Sequence, residues 1–415
     1  MQDERLYCPE LTGVRESPTL RPDGSILQAP GYDRATGIFH APRHAYPPVP
    51  EAPTRDDALA ALRDLRHVVR DVRFASEADA SVWLAAALTD AIRPALETAP
   101  IFGFDAPQFG AGKTLAANLC SLIAHGRKLI GKGWTASEEE NEKRLYAALL
   151  QGDPSYLADN VKQATPFGGE AIAAILTQDR WAARKLGKSE QPTVSTRAIF
   201  YVTGVNLILT ADLRRRALKC RIEPADEHPE NRRFDYDVVE DTRAGHPRLL
   251  AAALTIIRAY VVADHPMQGR FTPMGSFGDF DRLVRAPLLW LGCADPLDTQ
   301  REIETVDPEA EGLARGLELL EAAFGQGPFQ VKDIASPSGL TREGNPAALW
   351  EWIRENILPP RDGSLVNTKA LGQYLAKHRG TPHRGRRLVL VAPGSSEARG
   401  KSDRDGKIWR VGRSG

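Results

Sequence analysis

Phe102-Gly103-Phe104-Asp105-Ala106-Pro107-Gln108-Phe109-Gly110-Ala111-Gly112-Lys113-Thr114 sets the class to which this chain belongs. The apolar run from Ile101 to Phe104 reads as a buried strand. It breaks into a loop of small residues and reopens as a helix near Lys113, with Leu115, Leu119, Leu122 and Ile123 at its apolar positions. Strand, glycine loop and helix in this order are the layout of a phosphate-binding P-loop. Backbone N–H groups can wrap a triphosphate only where side chains leave room, as they do at Gly110, Ala111 and Gly112. Lys113 is then expected at the β and γ phosphates, Thr114 at Mg2+, and Leu115 in the helical turn against the nucleotide. Pro107 stands where the full G-x-x-x-x-G-K-T pattern has its first glycine. The competing structural reading is a helix entered through a glycine turn that happens to carry Lys-Thr.

The 415 residues allow two to four domains, and 42% apolar residues are enough to give each a core. No apolar run approaches the roughly 20 residues that span a bilayer, and Met1-Gln2-Asp3-Glu4-Arg5 lacks the basic-then-apolar order of a secretion signal. A cytoplasmic protein with no membrane partner is expected. Cys8, Cys120, Cys220 and Cys293 stand singly with no C-x-x-C spacing, which argues for buried thiols over zinc ligands or disulfides. Formal net charge is zero, yet Arg361 to Gly415 holds 13 Lys and Arg against 4 Asp and Glu. A basic end of this kind is what a nucleic-acid-binding module needs.

Along the chain, Pro22-Asp23-Gly24-Ser25 and Asp33-Arg34-Ala35-Thr36-Gly37 read as hairpin turns in a small β-rich segment, residues 1–46. Pro47 to Pro53 is a stiff linker, and amphipathic helices over about 55–70 and 76–97 form a helical collar, giving a 47–99 unit. The ATPase core is placed at 100–225. Within it, Ser137 and Glu140 have capping-box spacing at the start of a helix. A short strand then ends at Asp159-Asn160, about 45 residues after Lys113, where a P-loop protein carries the acid that holds Mg2+. Trp181 to Val202 reads as a hairpin with Lys185 and Lys188 at its tip, against the plainer reading of a solvated basic turn. The apolar strand Ala198 to Val202 leads to Thr203-Gly204-Val205-Asn206, where a polar amide could align water on a γ-phosphate. Asp212-Leu213-Arg214-Arg215-Arg216 follows at a distance that suits an arginine finger, the alternative being a solvated face.

These parts, in this order, resemble the AAA+ replicative helicases of prophages, plasmids and integrative mobile elements, which are superfamily 3-like and often joined to a primase-polymerase. Ser17 to Gly24, Pro30 to Asp33, Glu139 to Arg144, His228-Pro229-Glu230 and Trp290 to Pro296 also resemble stretches around such domains. The resemblance implies phosphate-loop roles for Gly110, Gly112, Lys113 and Thr114, a metal-acidic role for Asp159, a sensor role for Asn206, and trans-acting arginines at Arg215 and Arg216. Asn160 stands where many AAA+ enzymes have the glutamate that polarises water, which leaves Glu139 or Glu140 as candidate bases. Helices near 248–264 and 310–324 would form a lid over the base within a 226–325 unit, with Arg232 or Arg233 as second sensors.

Residues 326–415 read as helix-turn-helix plus wing, with helices near 345–358 and 368–379 and strands near 387–391 and 407–411. Asn367 caps the second helix and Gly380 stops it, leaving Lys369, Gln373 and Lys377 outside; Lys369, Lys377, Arg386 and Arg387 are the candidate DNA contacts there. The expected fold is therefore α/β: an AAA+ P-loop NTPase core with helical collar and lid, a small N-terminal β region and a C-terminal winged-helix domain. The expected function is an ATP- and Mg2+-dependent DNA helicase or translocase acting on single-stranded or forked DNA as a homo-oligomeric ring, six subunits by resemblance, with a primase-polymerase as candidate partner. An origin-melting initiator or loader, or a winged-helix regulator with a degenerate ATPase fold, are the alternatives.

Overall fold

Every residue of Ile101–Ala106 is buried, as in a strand covered on both faces, and the larger part of the molecule is built outward from it. The computed structural model describes residues 11–162, 166–182, 193–224, 236–300, 308–335, 346–357, 367–380, 385–393, 395–398, 401 and 406–413. Contacts divide the chain into two units, Met1–Glu304 and Thr305–Gly415.

The first unit opens with strands β1 (Gly13–Arg15), β2 (Thr19–Leu20), β3 (Ile26–Leu27), β4 (Gly31–Asp33) and β5 (Ile38–His40). Both expected hairpins are there, β2 with β3 and β4 with β5, while β1 joins β5 in parallel. Helices α1 (Arg55–Val68) and α2 (Glu77–Ile92) start at hydroxyl caps: Thr54 accepts from Asp57 N–H, and Ser76 from Asp79 N–H. The apolar face expected of the second helix extends almost all round it. The next helix covers one side of α2 and the sheet covers another, and Trp83 Nε1–H donates to Ala116 O at 3.0 Å.

The core continues through β6 (Ile101–Ala106), α3 (Lys113–His125), β7 (Gly131–Lys132), α4 (Glu138–Leu150), β8 (Ser155–Val161), α5 (Glu170–Leu176), β9 (Arg180–Ala182) and β10 (Thr193–Ser195). It closes with β11 (Ile199–Val205), α6 (Ala211–Arg214), β12 (Ala217–Arg221) and α7 (Val238–Val262). The main sheet has the order β12-β6-β11-β8-β7 with every neighbouring pair parallel. Because β11 is inserted between β6 and β8, the loops leaving these three strands gather at one edge. That edge, at the carboxyl ends where strand order reverses, is where open parallel sheets bind ligands. The antiparallel pair β9 and β10 forms the base of the expected hairpin, and its tip with Lys185 and Lys188 lies outside the described residues.

Two local expectations change. At α4 only half of the capping box forms: Ser137 accepts from Glu140 N–H at 3.3 Å, while the Glu140 carboxylate pairs with Arg144 one turn on. Helix α7 starts at Val238, capped by Asp237, and runs through Pro247 instead of beginning after it. Packing against α1 and α3 outweighs the hydrogen bond that proline removes.

In the second unit, helices Pro308–Phe324, Val331–Ala335, Pro346–Asn356 and Thr368–Lys377 pack with the antiparallel hairpin of β13 (Arg386–Val391) and β14 (Ile408–Arg413). The helix Pro308–Phe324, expected in the lid, contributes Leu313, Leu317 and Leu320 to this unit's own core, beside Trp352 and Trp409. Gly316 is required there, since a Cβ would stand 2.1 Å from the Trp352 ring. Asn367 caps its helix as expected, accepting from Ala370 N–H at 3.0 Å.

One buried histidine ties three parts of the first unit together. His246 of α7 meets Ile123 O at 2.9 Å through Nδ1, which must therefore carry the proton, and Tyr46 Oη at 3.0 Å through Nε2. Burial, with smaller contributions from His44 and His125, lowers its pKa against the bond to Ile123. A histidine lowered below its usual 6.5 contributes nothing at higher pH and loses stability as pH falls below that value, where the unfolded chain takes up the proton first. Between pH 7.5 and 5.5 the thermal midpoint of the wild type should therefore fall further than that of His246→Gln; parallel pH profiles would contradict this.

Candidate nucleotide site

Gly110 and Gly112 have φ of +75° and +90°, in the left-handed region that glycine enters without strain. Gly112 is also the N-cap of α3 and supplies no side chain, so the first N–H groups of that helix stay open to an anion. A Cβ at Gly112 would meet nothing within 4 Å, leaving clear space above the helix start. Lys113 is only 7% exposed and turns back on the loop: its Nζ donates to Gln108 O at 2.8 Å and lies 5.8 Å from the centre of the Phe109 ring. Burial lowers its pKa, and Asp105 and Asp159 oppose that shift.

Thr114 and Asp159, the two residues expected at the metal, are brought into contact. Thr114 Oγ1–H donates to Asp159 Oδ1 at 2.8 Å, and Thr203 Oγ1–H donates to the same oxygen at 2.7 Å. Thr203 Oγ1 in turn accepts from Asn160 N–H at 2.8 Å. Gly131 on β7 makes room for the carboxylate, since a Cβ there would stand 3.2 Å from Asp159 Oδ2. Asn160 and Asn206 both have left-handed backbones, with φ of +54° and +47°, and Asn206 N–H donates to Ala106 O at 3.0 Å. Non-glycine residues held this way at strand ends often mark working sites.

Sequence reasoning passed over Asp105. Its fully buried carboxylate accepts from Leu207 N–H at 2.7 Å and from Lys219 Nζ and Arg221 Nη1 at 2.8 Å each. One acid inside β6 thus holds the turn after Asn206 and the adjacent strand β12 against the strand that leads into the loop. The signal was an aspartate inside an otherwise apolar run.

Beside the glycine loop lies a cleft of about 110 Å³ walled by Val68, Val72, Leu115, Leu119, Ile222 and Val238, with Asp71, Arg73 and Tyr236 at its rim. Tyr236 Oη–H donates to Asp71, and the Arg70 guanidinium lies 3.9 Å from the Tyr236 ring centre. The segment after α1 is fixed by the antiparallel bridge between Phe74 and Ile222 and by Ala75 N–H on Arg221 O at 3.0 Å. A largely apolar cleft beside open helix N–H groups could take a base with its phosphates toward the loop. Its walls come from the end of α1 and the start of α3 and α7, where sequence reasoning looked to later lid helices; Arg232 and Arg233 lie outside the described residues.

The other candidates are dispersed. Glu139 is exposed and pairs with Lys143 at 2.7 Å, while neighbouring Glu138 accepts from Glu170 N–H at 2.6 Å. Arg215 projects with a side chain 71% exposed, paired with Asp212 at 3.2 Å. Arg216, only 17% exposed, is turned into its own chain and donates to Ala173 O, Thr177 Oγ1 and Asp212. In the second unit Lys369, Lys377 and Arg387 are exposed, whereas Arg386 pairs with Glu321 at 2.6 Å and Glu318 at 3.3 Å. Cys120, Cys220 and Cys293 are buried free thiols.

Among the described residues no three His, Cys, Asp or Glu side chains gather to hold a metal by themselves. Thr114 and Asp159 could supply two oxygen ligands to a Mg2+ whose shell phosphates complete. Glycine loop, acidic strand and parallel sheet together make a P-loop-like α/β core. No protein-family model matches the chain, and no curated protein matches it. Among solved structures, the apo A form of the NrS-1 C-terminal region aligns over 100% of this chain and 87% of that one, at 11% identity and TM-score 0.38. The JCV helicase aligns over 61% of this chain and 73% of its own, at 14% identity and TM-score 0.27. Overlaps of this size carry no functional weight, and the assignment rests on the residues themselves.

Replacing Asp105 by Asn should lower unfolding stability by roughly 2–3 kcal/mol, because Lys219 and Arg221 lose a charged acceptor yet keep some contact with water. Urea unfolding measures this, and a change near zero would remove Asp105 from the framework of the site.

Proposed function

We propose that this protein is an ATP-dependent DNA helicase or translocase of mobile-element replication, working as a ring whose subunits share nucleotides. The observation that carries the reading is the 2.8 Å contact of Thr114 with Asp159 beside the open N-terminus of α3. The base would occupy the cleft beside Leu115, and the phosphates the N–H groups after Gly110 and Gly112. Lys113 would leave Gln108 O for the β and γ phosphates, exchanging one acceptor for a charged one. Thr114 and Asp159 would hold Mg2+, which supplies charge neutralisation on the phosphate oxygens.

Asn206 is fixed to the end of β6 and would orient the attacking water, with Thr203 holding Asn160 and Asp159 in register. The candidate bases Glu139 and Glu140 pair with Lys143 and Arg144, so either would have to leave its cation to act on water. Of the two candidate trans arginines, Arg215 is the one with an exposed side chain, and in a neighbouring subunit's site it would stabilise charge developing on the γ-phosphate. Lys185 and Lys188, with Lys369, Lys377 and Arg387 of a winged-helix C-terminal unit, would contact DNA.

Lys113→Ala should abolish ATP hydrolysis, and Arg215→Ala should lower it by about 10³-fold or more. Mixing the two inactive variants should restore measurable hydrolysis, because a Lys113→Ala subunit still offers Arg215 to an intact loop next door. Failure of the mixture to recover, with both variants assembled, would remove the shared-site reading. Strand displacement on a forked duplex separates a helicase from an initiator that opens DNA without unwinding it.

A further inference from the structure

At the opposite end of the sheet from the glycine loop, Arg93 and Arg197 are bonded to each other's segments, Arg15 lies close enough to act on this pair electrostatically, and Arg127 close enough to act on Arg15. Arg93 follows α2, Arg127 follows α3, Arg197 precedes β11, and Arg15 ends β1. Arg93 is 3% exposed and donates to Ala198 O at 2.9 Å, Leu96 O at 2.6 Å and Thr196 O at 3.1 Å. Arg197 reaches back to Pro94 O at 2.8 Å, so each of the two arginines is fixed to the segment that carries the other. The N-terminal strands are brought to the same place by Thr19 Oγ1–H on Ala91 O at 3.3 Å.

Two acids of this region, Asp90 and Glu16, are already paired, while Asp179 and Glu97 lie exposed at its margin. Asp90, with a fully buried side chain, meets His125 Nε2 at 2.8 Å and accepts from Tyr201 Oη–H at 2.7 Å and Ser155 Oγ–H at 3.3 Å. Glu16 pairs with Arg43 at 2.6 Å. Among the described residues, the guanidiniums of Arg15 and Arg127 make no hydrogen bond or ion pair. Burial lowers the pKa of Arg15, and nearby Arg127 and Arg197 lower it further against Asp90. Arg93 is pushed down to about 9 by burial, then by Arg197 and Arg15. Cations at helix C-termini are ordinary and account for Arg93 and Arg127. They do not account for Arg15, which ends β1, or Arg197, which lies in the link before β11.

We propose that Arg15, Arg127 and Arg197, backed by Arg93, bind phosphates of a nucleic-acid strand on the edge of the sheet remote from the nucleotide. The groups lie on an open edge, with Arg127, Lys128 and Arg197 exposed, which fits a track of phosphodiesters better than one enclosed anion. Guanidinium forks suit phosphate oxygens, and an anion relieves the mutual repulsion of the cluster. Helix α3 separates this edge from the glycine loop by roughly 20 Å, at about 1.5 Å per residue. The inference stands independently of ATP hydrolysis.

The test is fluorescence anisotropy of the full chain with labelled oligo(dT) and, separately, a labelled duplex, without nucleotide and across a series of KCl concentrations. Removing one phosphate contact should flatten the slope of log K against log [salt] by about 0.7 on the single strand or about 0.9 on the duplex. Arg127→Ala and Arg197→Ala should each do so, and Arg15→Gln should add to Arg127→Ala. The two exposed positions keep the test open even if Arg15→Gln unfolds. Slopes and affinities unchanged on both probes would overturn the proposal. So would a loss of DNA affinity matched by an equal loss of affinity for a fluorescent ATP analogue, which would mark a general defect of the fold.

Discussion

One carboxylate oxygen holds the working edge of this molecule together. Asp159 Oδ1 accepts from Thr114 on the helix after the glycine loop and from Thr203 on the strand inserted between β6 and β8. Three elements distant in sequence are thereby set in register at the carboxyl edge of the sheet. A parallel sheet cannot form from neighbouring hairpins, so these contacts must be made across long loops, and their cost in chain entropy falls on the packing of β6 and its neighbours. Asp105 does the corresponding work one layer deeper, where Lys219, Arg221 and the Leu207 amide meet on its carboxylate.

What could be read from the sequence was local. Ile101 to Thr114 showed itself because a buried strand, left-handed glycines and a helix start each leave a mark within a few residues. The meeting of Asp159 with Thr114 was legible because an acid at the end of a strand beside such a loop faces the start of the helix following that loop. The walls of the cleft were not: Val72, Leu119, Ile222 and Val238 are ordinary apolar residues until the bridge between Phe74 and Ile222 and the early start of α7 bring them together. Pro247 hid that early start, because proline normally ends a helix and here lies inside one. The parallel pairing of β1 with β5 left no turn signal, since parallel partners are not joined by a tight turn. Arg215 and Arg216 looked equivalent in sequence and are separated by which side of a turn each faces.

Charge shows most directly how composition and structure differ. The chain sums to zero, and its C-terminal excess of cations stood out on counting. Part of that excess is consumed within the unit, as Arg386 is by Glu318 and Glu321. The cluster around Arg93 has the reverse history. Its members are scattered from Arg15 to Arg197 among enough acids to look neutral, and only the fold brings the arginines together while binding Asp90 and Glu16 elsewhere. Exposed cations with few local counter-ions are where polyanions gain most from contact, and no window of sequence could reveal this set.

The account depends on a triphosphate entering between the open start of α3 and the acidic strand. A structure determined with Mg2+ and a non-hydrolysable ATP analogue tests this most directly. It should show the phosphates over Gly110 to Lys113, the metal against Thr114 and Asp159, and the base between Val72 and Leu115. A nucleotide bound elsewhere, or a saturating analogue that leaves the loop empty and Lys113 still on Gln108 O, would contradict it.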